Sequence, residues 1–364
     1  MKQHSVLPKL CLAWAAIVVL LGGCGDFDTA SPPETSEALQ GAVTARLALT
    51  LPSGADAQAW DTLEYFAQAA ARLSGGELEI TLSAAADPLT SLTHEECSLA
   101  FVSTARMADE QEDMAMTQAP FFWRNYNHFT EALNRPDNLE LAGQLFAQEL
   151  SARPLGVYYR GTVNLVSTRR VYDERGISNL NMALEEGAST SYNCFWAMGA
   201  PLRLYSDEQE LTQLLWDKEI RATEADAELA ARLSKTFSRL YCVPTGHYIQ
   251  GDWLLLSQRA AQALTGRQLA VLAEAMAESL EYNDRLRLEA EAKVWGDSGD
   301  QLLLAVGEFP RLRAMGERYL AQEMIPNQEW SGRLLRAYRM GLDLITDVPE
   351  AEEAPEDEPE ENEE

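Results

Sequence analysis

The sequence predicts an α/β fold of two lobes, with a cleft between the lobes and a long C-terminal helix that links them. Three observations support this prediction. A strand, a helix and a second strand follow one another over residues 45–82, and a second set of the same class follows over 155–248. Residues 265–295 are rich in Ala, Leu and Glu with few breakers, which is typical of one long helix. Strand–helix–strand units pack helices on a mostly parallel sheet, which defines the α/β class.

The first lobe is predicted to begin with a strand–helix–strand unit that is followed by another strand and another helix. Alternating apolar residues indicate the strands, and apolar residues at helical spacing indicate the helices. The Ser-Gly-Gly sequence at 74–76 ends the first helix, because glycine adopts the left-handed C-cap conformation without strain. An aromatic turn at 120–123 precedes the second helix. In chain order, these elements are predicted over residues 45–52, 57–73, 78–82, 98–103 and 129–150.

A second set of strands and helices repeats this class of structure. Its predicted strands are residues 155–159, 164–167, 202–205 and 245–248, and its predicted helices are residues 189–198 and 207–215. The long helix over 265–295 follows, and further helix is predicted to residue 345. Since two lobes of this kind enclose a cleft, the cleft is the expected working site.

The N-terminus has the features of an export signal. Two lysines precede an unbroken apolar run over 10–21, which is too short to span a bilayer. The run ends in Leu-Gly-Gly-Cys, which looks like a bacterial lipobox in which Cys24 is lipidated after cleavage. The alternative is an ordinary secretory signal with an incidental cysteine. We therefore expect a protein on the periplasmic side that is lipid-anchored to an envelope membrane, with the choice of inner or outer membrane left open.

The expected domain organisation follows from these segments. Residues 1–23 are the signal peptide, residues 24–46 hold the lipidated cysteine and a flexible tether, and residues 347–364 are a disordered acidic tail. Residues 47–346 form the two-lobed body. We expect its first lobe over about 47–155 and 225–247, and its second lobe over about 156–224 and 248–346.

The charge of the chain excludes one class of partner. The 364 residues include 29 Lys and Arg against 57 Asp and Glu, which gives a net charge of −28. Nucleic-acid binding depends on basic residues that release counterions, and the chain has no basic cluster. We therefore expect no nucleic-acid partner, and anionic membrane surfaces are disfavoured for the same reason.

Cysteine and histidine spacing predicts neither a metal site nor a cofactor. Cys97, Cys194 and Cys242 lie too far apart for any metal or redox motif, so buried thiols are favoured and one incidental disulfide stays open. His94 lies beside two glutamates, but the spacing does not fit a helical zinc motif and favours a polar loop.

An ordered series of segments resembles the solute receptors of tripartite ATP-independent periplasmic (TRAP) transporters, the DctP family. The resemblance covers most of residues 47–345. The segments that carry it are FAQAAARLSGGELEITL at 66–82, APFFWRNYNHFTEAL at 119–133, Asn-Leu at 179–180, MGAPL at 198–202, the helix and strand at 211–224, and Thr-Gly-His-Tyr at 245–248.

The resemblance implies a periplasmic substrate-binding protein fold. It also implies an extracytoplasmic receptor that closes two lobes on a small solute, commonly an organic acid. Such a receptor delivers the solute to the small and large membrane subunits of a transporter driven by an ion gradient. Hinge closure suits the predicted two-lobed architecture.

Three positions depart from the family's ligand-binding pattern, and a fourth keeps it. The family binds a carboxylate through an arginine before a second-lobe helix, because the guanidinium fork can bind it in a bidentate way. Leu184 or Glu186, depending on the alignment, stands at that position here. A second family arginine falls on Val163, and the aspartate of the family's Asp-Gly-x-Glu motif is replaced by Arg221, while Glu224 keeps the last position.

These departures make a simple dicarboxylate less favourable, because a carboxylate buried beside glutamates without a cation is repelled. The alternatives are an apolar or zwitterionic solute, a cation, or an acid bound by other bases. Arg160, Arg203 and Arg221 are the bases considered.

Further candidate binding residues come from their predicted positions. Trp123, with Phe121 and Phe122, can stack on a ligand or pack beneath the cleft. Ser103 and Thr104 lie at the carboxyl end of a predicted parallel strand, where α/β folds place ligands.

Arg160 and His247 lie on predicted strands. Arg160 adjoins two tyrosines, so it is either the surviving cleft cation or part of a surface ion pair. In the Thr-Gly-His-Tyr strand, a structural hydrogen bond from His247 is favoured over acid–base chemistry.

The sequence leaves two alternatives to a transport receptor. An enzyme is disfavoured, because the sequence contains no nucleophile elbow, P-loop, dinucleotide fingerprint, CxxC or HExxH motif. An envelope lipoprotein that uses the receptor fold for protein interaction or sensing is the second alternative, and the missing arginines support it.

Overall fold

The computed structural model describes residues 43–185, 189–296, 302–304, 309–324 and 329–339. The expected signal peptide, Cys24, the tether up to residue 42, Glu186 and the acidic tail lie outside these ranges. No helix among the described residues is both long and apolar enough to cross a membrane.

The described strands form one nine-stranded mixed sheet. They are β1 Ala45–Pro52, β2 Leu78–Ala85, β3 Leu99–Ser103, β4 Ala152–Ser167, β5 Met182–Glu185, β6 Leu202–Tyr205, β7 Ala222–Ala225, β8 Leu240–Ser257 and β9 Leu302–Leu304. The order across the sheet is β2-β1-β3-β8-β4-β7-β5-β6, and β9 pairs with β8.

Helices cover both faces of this sheet. They are α1 Ala57–Leu73, α2 Pro88–Thr93, α3 Thr104–Glu110, α4 Tyr126–Asn134, α5 Pro136–Glu149, α6 Glu174–Ser178, α7 Ser189–Ala197, α8 Glu208–Trp216, α9 Ala227–Thr236, α10 Gln258–Ala263, α11 Gly266–Glu291, α12 Pro310–Tyr319 and α13 Glu329–Arg339. A 3₁₀ turn spans Glu112–Gln118, and π-helical turns span Ala292–Gly296 and Leu320–Met324.

Two long antiparallel strands, β4 and β8, join the two halves of the sheet. Residues 252–256 of β8 pair with β3, beside the parallel strands β1 and β2. Residues 241–243 of β8 pair with 165–167 of β4, which also pairs with β7, beside the parallel strands β5 and β6. Each half therefore has its own parallel strands, and the same two strands pass through both halves.

Four buried apolar clusters fill the space between the sheet and its helices. Two lie on opposite faces of the first half, around Trp253 and around Leu254. Two lie on opposite faces of the second half, around Leu165 and around Val166. Adjacent strand residues enter different clusters because side chains alternate between the faces of a sheet. The structure confirms the predicted two-lobed α/β fold.

Several predicted elements have different limits in the structure. The helix predicted over 129–150 is wrong as one element, because α4 ends at Asn134 and α5 starts at Pro136. Arg135 between them has extended backbone angles, since a residue before proline is excluded from the helical region. The short strands predicted at 155–159 and 164–167 are parts of the continuous strand β4, and 245–248 is part of β8.

Candidate functional site

The candidate site lies where β3 ends against the crossing strands. Ser103, the last residue of β3, pairs with Asp252 of β8. Its side chain caps α3, because Ser103 Oγ accepts a hydrogen bond from the N–H of Arg106 at 3.1 Å. Thr104 follows and is buried. The structure thus places both predicted residues at the carboxyl end of a parallel strand, with Ser103 already engaged as a helix cap.

Arg160 supplies a partly exposed cation to this candidate site. Its Nε donates a hydrogen bond of 3.2 Å to Gln250 Oε1, and its Nη1 lies 3.7 Å from Asp252 Oδ1. The side chain is 32% exposed, so solvent reaches the guanidinium. Burial disfavours its charge, but the carboxylates of Asp252, Asp226 and Asp56 outweigh burial and raise the pKa of Arg160. The structure therefore surrounds Arg160 with acids, in a partly open position.

Asp252 was missed by the sequence analysis. It is 4% exposed, and burial raises the pKa of its carboxyl group despite the nearby charge of Arg160. Among the described residues, no donor makes a hydrogen bond to its side-chain oxygens, since Arg160 lies beyond hydrogen-bond distance. The signal in the sequence was an aspartate directly before the apolar run 253–256 of a strand, because carboxylates are rarely buried unless they are paired.

A buried ion pair forms one side of the site. Arg287 of α11 donates two hydrogen bonds of 2.9 Å to the two oxygens of Asp56, and a third of 2.9 Å to Gln58 Oε1. Asp56 also caps α1 by accepting a bond from the N–H of Ala59 at 2.7 Å. Burial opposes ionisation of Asp56, but its bonds to Arg287 prevail and lower its pKa. The charge of Arg287 is therefore already compensated.

A polar stripe on α11 follows the crossing strand β4. Ser279, Asn283, Arg287 and Glu291 recur every four residues, so they share one helix face. Ser279 bonds to the hydroxyl of Tyr158, and Asn283 donates to the carbonyl of Tyr159. Glu291, the last residue of this stripe, lies where the pairing register of β4 with β8 shifts.

Glu291 binds β4 at that point. It accepts hydrogen bonds from the N–H of Thr162 at 2.6 Å and from the hydroxyl of Tyr159 at 2.8 Å. The register of β4 shifts between Tyr159 and Gly161, and again between Val163 and Leu165. The carboxylate of Glu291 thereby satisfies a backbone N–H that the irregular strand leaves available.

Glu224 lies on β7 in the second half and contacts a buried histidine. Glu224 Oε1 lies 2.7 Å from His247 Nε2, and Thr245 Oγ1 lies 2.6 Å from His247 Nδ1. His247 is fully buried, and its backbone carbonyl accepts a bond of 2.6 Å from the N–H of Phe121. Both ring nitrogens are occupied, which agrees with the structural role predicted for His247.

The aromatic candidates pack inside the protein. Trp123 is 3% exposed, and its Nε1 donates to the carbonyl of Thr117 at 3.1 Å. Its ring contacts Phe122 and Phe129 edge to face. Phe121 is also buried, with the guanidinium of Arg313 4.7 Å from its ring centre. These positions match the alternative of packing beneath the cleft.

Two of the positions predicted to replace the family arginines, Val163 and Leu184, are apolar and buried. Val163 is 3% exposed, and Leu184 is fully buried in the core of the second half. Arg221 is partly exposed at the start of β7; its N–H donates to the carbonyl of Asn181, and its own carbonyl accepts from the N–H of Thr168. Glu186 lies outside the described residues. The structure brings Arg160, Ser103 and Thr104 together and leaves Val163 and Leu184 in the core.

The described residues provide neither a metal-binding cluster nor a thiol to the candidate site. Among the described residues, no group of three or more His, Cys, Asp and Glu is arranged to hold a metal ion. Cys97, Cys194 and Cys242 are buried free thiols, and burial raises their pKa values.

The described architecture consists of two lobes that are joined by crossing strands, with the candidate polar site at their junction. This is the architecture of two-lobed solute-binding folds.

Comparisons with known proteins agree with this class. No protein-family model and no curated protein matches the chain. A TRAP periplasmic solute binding protein from Rhodobacter sphaeroides, in an apo open structure, matches with a TM-score of 0.71 at 15% identity, covering 81% of this chain and 99% of that chain. A second, from Desulfovibrio desulfuricans with bound sn-glycerol-3-phosphate, gives 0.67 at 14% identity over 82% and 98%.

A third solved structure extends the same comparison. The TRAP periplasmic solute binding protein from Haemophilus influenzae with bound L-gulonate gives a TM-score of 0.67 at 13% identity, covering 81% of this chain and 99% of that chain. At these identities the likeness establishes the fold. The chain has the two-lobed fold of TRAP periplasmic solute-binding proteins.

Proposed function

We propose that the protein is an extracytoplasmic receptor of a TRAP-type secondary transporter, which captures a small organic solute between its two lobes. The observation that carries this proposal is the position of the Arg160–Asp252 pair. Both residues lie on the crossing strands, at the end of β3, where an α/β fold offers ligands a crevice. The guanidinium is partly exposed there, so a solute can reach it.

Hinge motion follows from the same strands. β4 and β8 pass through both halves of the sheet, and β4 shifts register three times along this path. A strand bends where an irregularity interrupts its ladder, and a few residues of this kind are enough to act as a hinge. Closure of the halves would exclude water from Arg160 and strengthen its interaction with a bound solute.

Anchoring and delivery extend the proposal beyond the site. The export signal and Cys24 support a lipid-anchored protein on the periplasmic side. Solute would pass from the closed receptor to the small and large membrane subunits of the transporter. The periplasmic origin of the structurally similar proteins supports this location.

Thermal melting of the full-length protein in a nonionic detergent tests the proposal. Solute that binds only the folded state raises the melting temperature by mass action. We expect one class of small solute to raise it, and Arg160→Gln to abolish the increase. Arg46→Gln is the control, because Arg46 is a surface residue that pairs with Glu79 on the edge of the sheet.

Closure of the two halves can be measured separately from solute binding. Small-angle X-ray scattering should show a smaller radius of gyration when the stabilising solute is added. A library of organic acids, amino acids, polyols and lipids that leaves both measurements unchanged would contradict the receptor function. It would favour the alternative of an envelope lipoprotein that binds proteins.

A further inference from the structure

The carboxylate of Asp252 is the unusual group of the site. It is 4% exposed, and no donor among the described residues makes a hydrogen bond to its oxygens. A buried carboxylate normally accepts several hydrogen bonds, because an unsatisfied charged group loses the interactions that water would supply. Asp252 thus has acceptor capacity that the folded chain leaves unused.

The other acids around the site already have donors. Asp56 is bound by Arg287, Glu291 by Tyr159 and the N–H of Thr162, and Glu224 by His247. Each of these carboxylates therefore has a structural partner. Asp252 differs from them, since it has an ion-pair partner but no hydrogen-bond donor among the described residues: Arg160 Nη1 lies 3.7 Å away, and Arg160 uses its Nε on Gln250.

The charge near Arg160 is unfavourable for a purely anionic solute. Besides Asp252, the carboxylates of Asp226 and Asp56 act on this guanidinium. Asp226 and Glu291 flank the next residue, since a Cβ built on Gly161 would lie 3.6 Å from Asp226 Cβ and 3.5 Å from Glu291 Oε1. Arg287, a buried cation next to the site, is held by two bonds to Asp56. Acids therefore outnumber bases around the position where a solute would sit.

We propose that the solute carries a protonated amine, which donates N–H hydrogen bonds to Asp252. The inference rests on the proposed receptor function and names the chemical class of its solute. A charged donor that meets a buried carboxylate gives a stronger hydrogen bond than a neutral pair does. An ammonium group also reduces the excess negative charge around Arg160. In a zwitterionic solute, the carboxylate would face the exposed part of Arg160.

The proposal separates protonated amines from quaternary ammonium groups. Both carry a positive charge, but only the protonated amine has an N–H to donate. If charge alone determined binding, the two would bind equally well. A site built around the unused acceptors of Asp252 binds the protonated amine more tightly.

Titration calorimetry on the full-length protein in nonionic detergent tests the solute class. The probes share similar carbon skeletons: putrescine, γ-aminobutyrate, its trimethylammonium analogue, succinate and erythritol, followed by longer and shorter members of each series. We expect binding by an amine or an amino acid, and binding weaker by about 10-fold or more for its trimethylammonium analogue. Binding by dicarboxylates or polyols without binding by any amine would overturn the inference and leave the receptor function standing.

Asp252→Asn identifies the acceptor. The substitution keeps the shape of the side chain and removes its charge, so amine affinity should fall by about 10- to 100-fold. Asp61→Asn makes the same chemical change on the exposed face of α1 and should leave affinity unchanged. Unchanged amine binding in Asp252→Asn would overturn the inference. Absence of binding by every series would count against the receptor function itself, and the inference would fall with it.

Discussion

Glu291 accepts a hydrogen bond of 2.6 Å from the N–H of Thr162, which lies 129 residues earlier in the chain. The bond joins the end of α11 to the irregular part of β4, where the two halves of the sheet meet. Glu291 also accepts from the hydroxyl of Tyr159 at 2.8 Å. The long helix is thus attached to the crossing strand by a side chain as well as by packing.

Removal of the Glu291 carboxylate should loosen this junction. We expect Glu291→Ala to lower the free energy of unfolding by about 1–3 kcal/mol, because the N–H of Thr162 loses its acceptor. Hydrogen exchange at Thr162 should accelerate in the same variant. Glu291→Gln is the matched control: it retains an acceptor oxygen, and burial already raises the pKa of this carboxyl group toward the neutral form. If both variants lower the free energy of unfolding equally, the charge of Glu291, and not its hydrogen-bond acceptor, stabilises the junction.

The Asp56–Arg287 pair should contribute strongly to stability. We expect Asp56→Asn to lower the free energy of unfolding by about 2–3 kcal/mol, because Arg287 is buried and would keep its charge without a charged partner. Urea unfolding measures the change. The control is Glu79→Gln, whose pair with Arg46 is largely exposed and should contribute less than about 1 kcal/mol.

The same pair predicts the direction of an acid effect. The pKa of Asp56 is lower in the folded protein than its ordinary value of 3.8, so its contribution is present above that value and is lost as the pH falls through the lowered pKa. The difference in stability between the wild type and Asp56→Asn should therefore shrink as the solution is acidified below about pH 4. A difference that stays constant down to pH 2 would contradict the assignment.

Asp252 should reduce the stability of the ligand-free protein. Burial raises the pKa of Asp252 above its ordinary value of 3.8, so the folded state loses stability relative to the unfolded state as the pH rises above that value. Its charged neighbours are Arg160, Arg287 and Asp56. We expect Asp252→Asn to raise the melting temperature at pH 7, on the order of 2 °C. A lower melting temperature would mean that the pair with Arg160 outweighs the cost of burial.

Gly251 should tolerate no side chain. A Cβ at this position of β8 would lie 2.7 Å from the backbone carbonyl of Tyr158 and would also meet the ring of Phe129. We expect Gly251→Ala to lower the free energy of unfolding by about 3 kcal/mol, because a backbone atom of the paired strand cannot move aside. Gly54→Ala is the control, since nothing lies within 4 Å of its Cβ position, and its effect should stay within about 0.5 kcal/mol. Similar melting temperatures for the two variants would contradict this.

Local sequence predicted the regular elements of the first half well. The strand at 45–52 and the helix at 57–73 have the predicted limits, because apolar periodicity and capping residues act over a few neighbouring positions. The prediction of one helix over 129–150 was wrong, because Pro136 holds the preceding residue in an extended conformation and divides the helix. Ser103 and Thr104 were candidates because the ends of parallel strands follow from the fold class. Arg160 was a candidate as a cation beside two tyrosines on a predicted strand.

The sequence by itself determined the α/β class, the two sets of strands and helices, and the long helix. These properties depend on residue type, periodicity and order along the chain. Only the tertiary structure decided that β4 and β8 cross between the halves, that Arg287 is bound to Asp56, and that Asp252 is buried without a hydrogen-bond donor among the described residues. Such relationships join positions up to 231 residues apart, as in the Asp56–Arg287 bond, and no local pattern encodes which distant partners packing brings together.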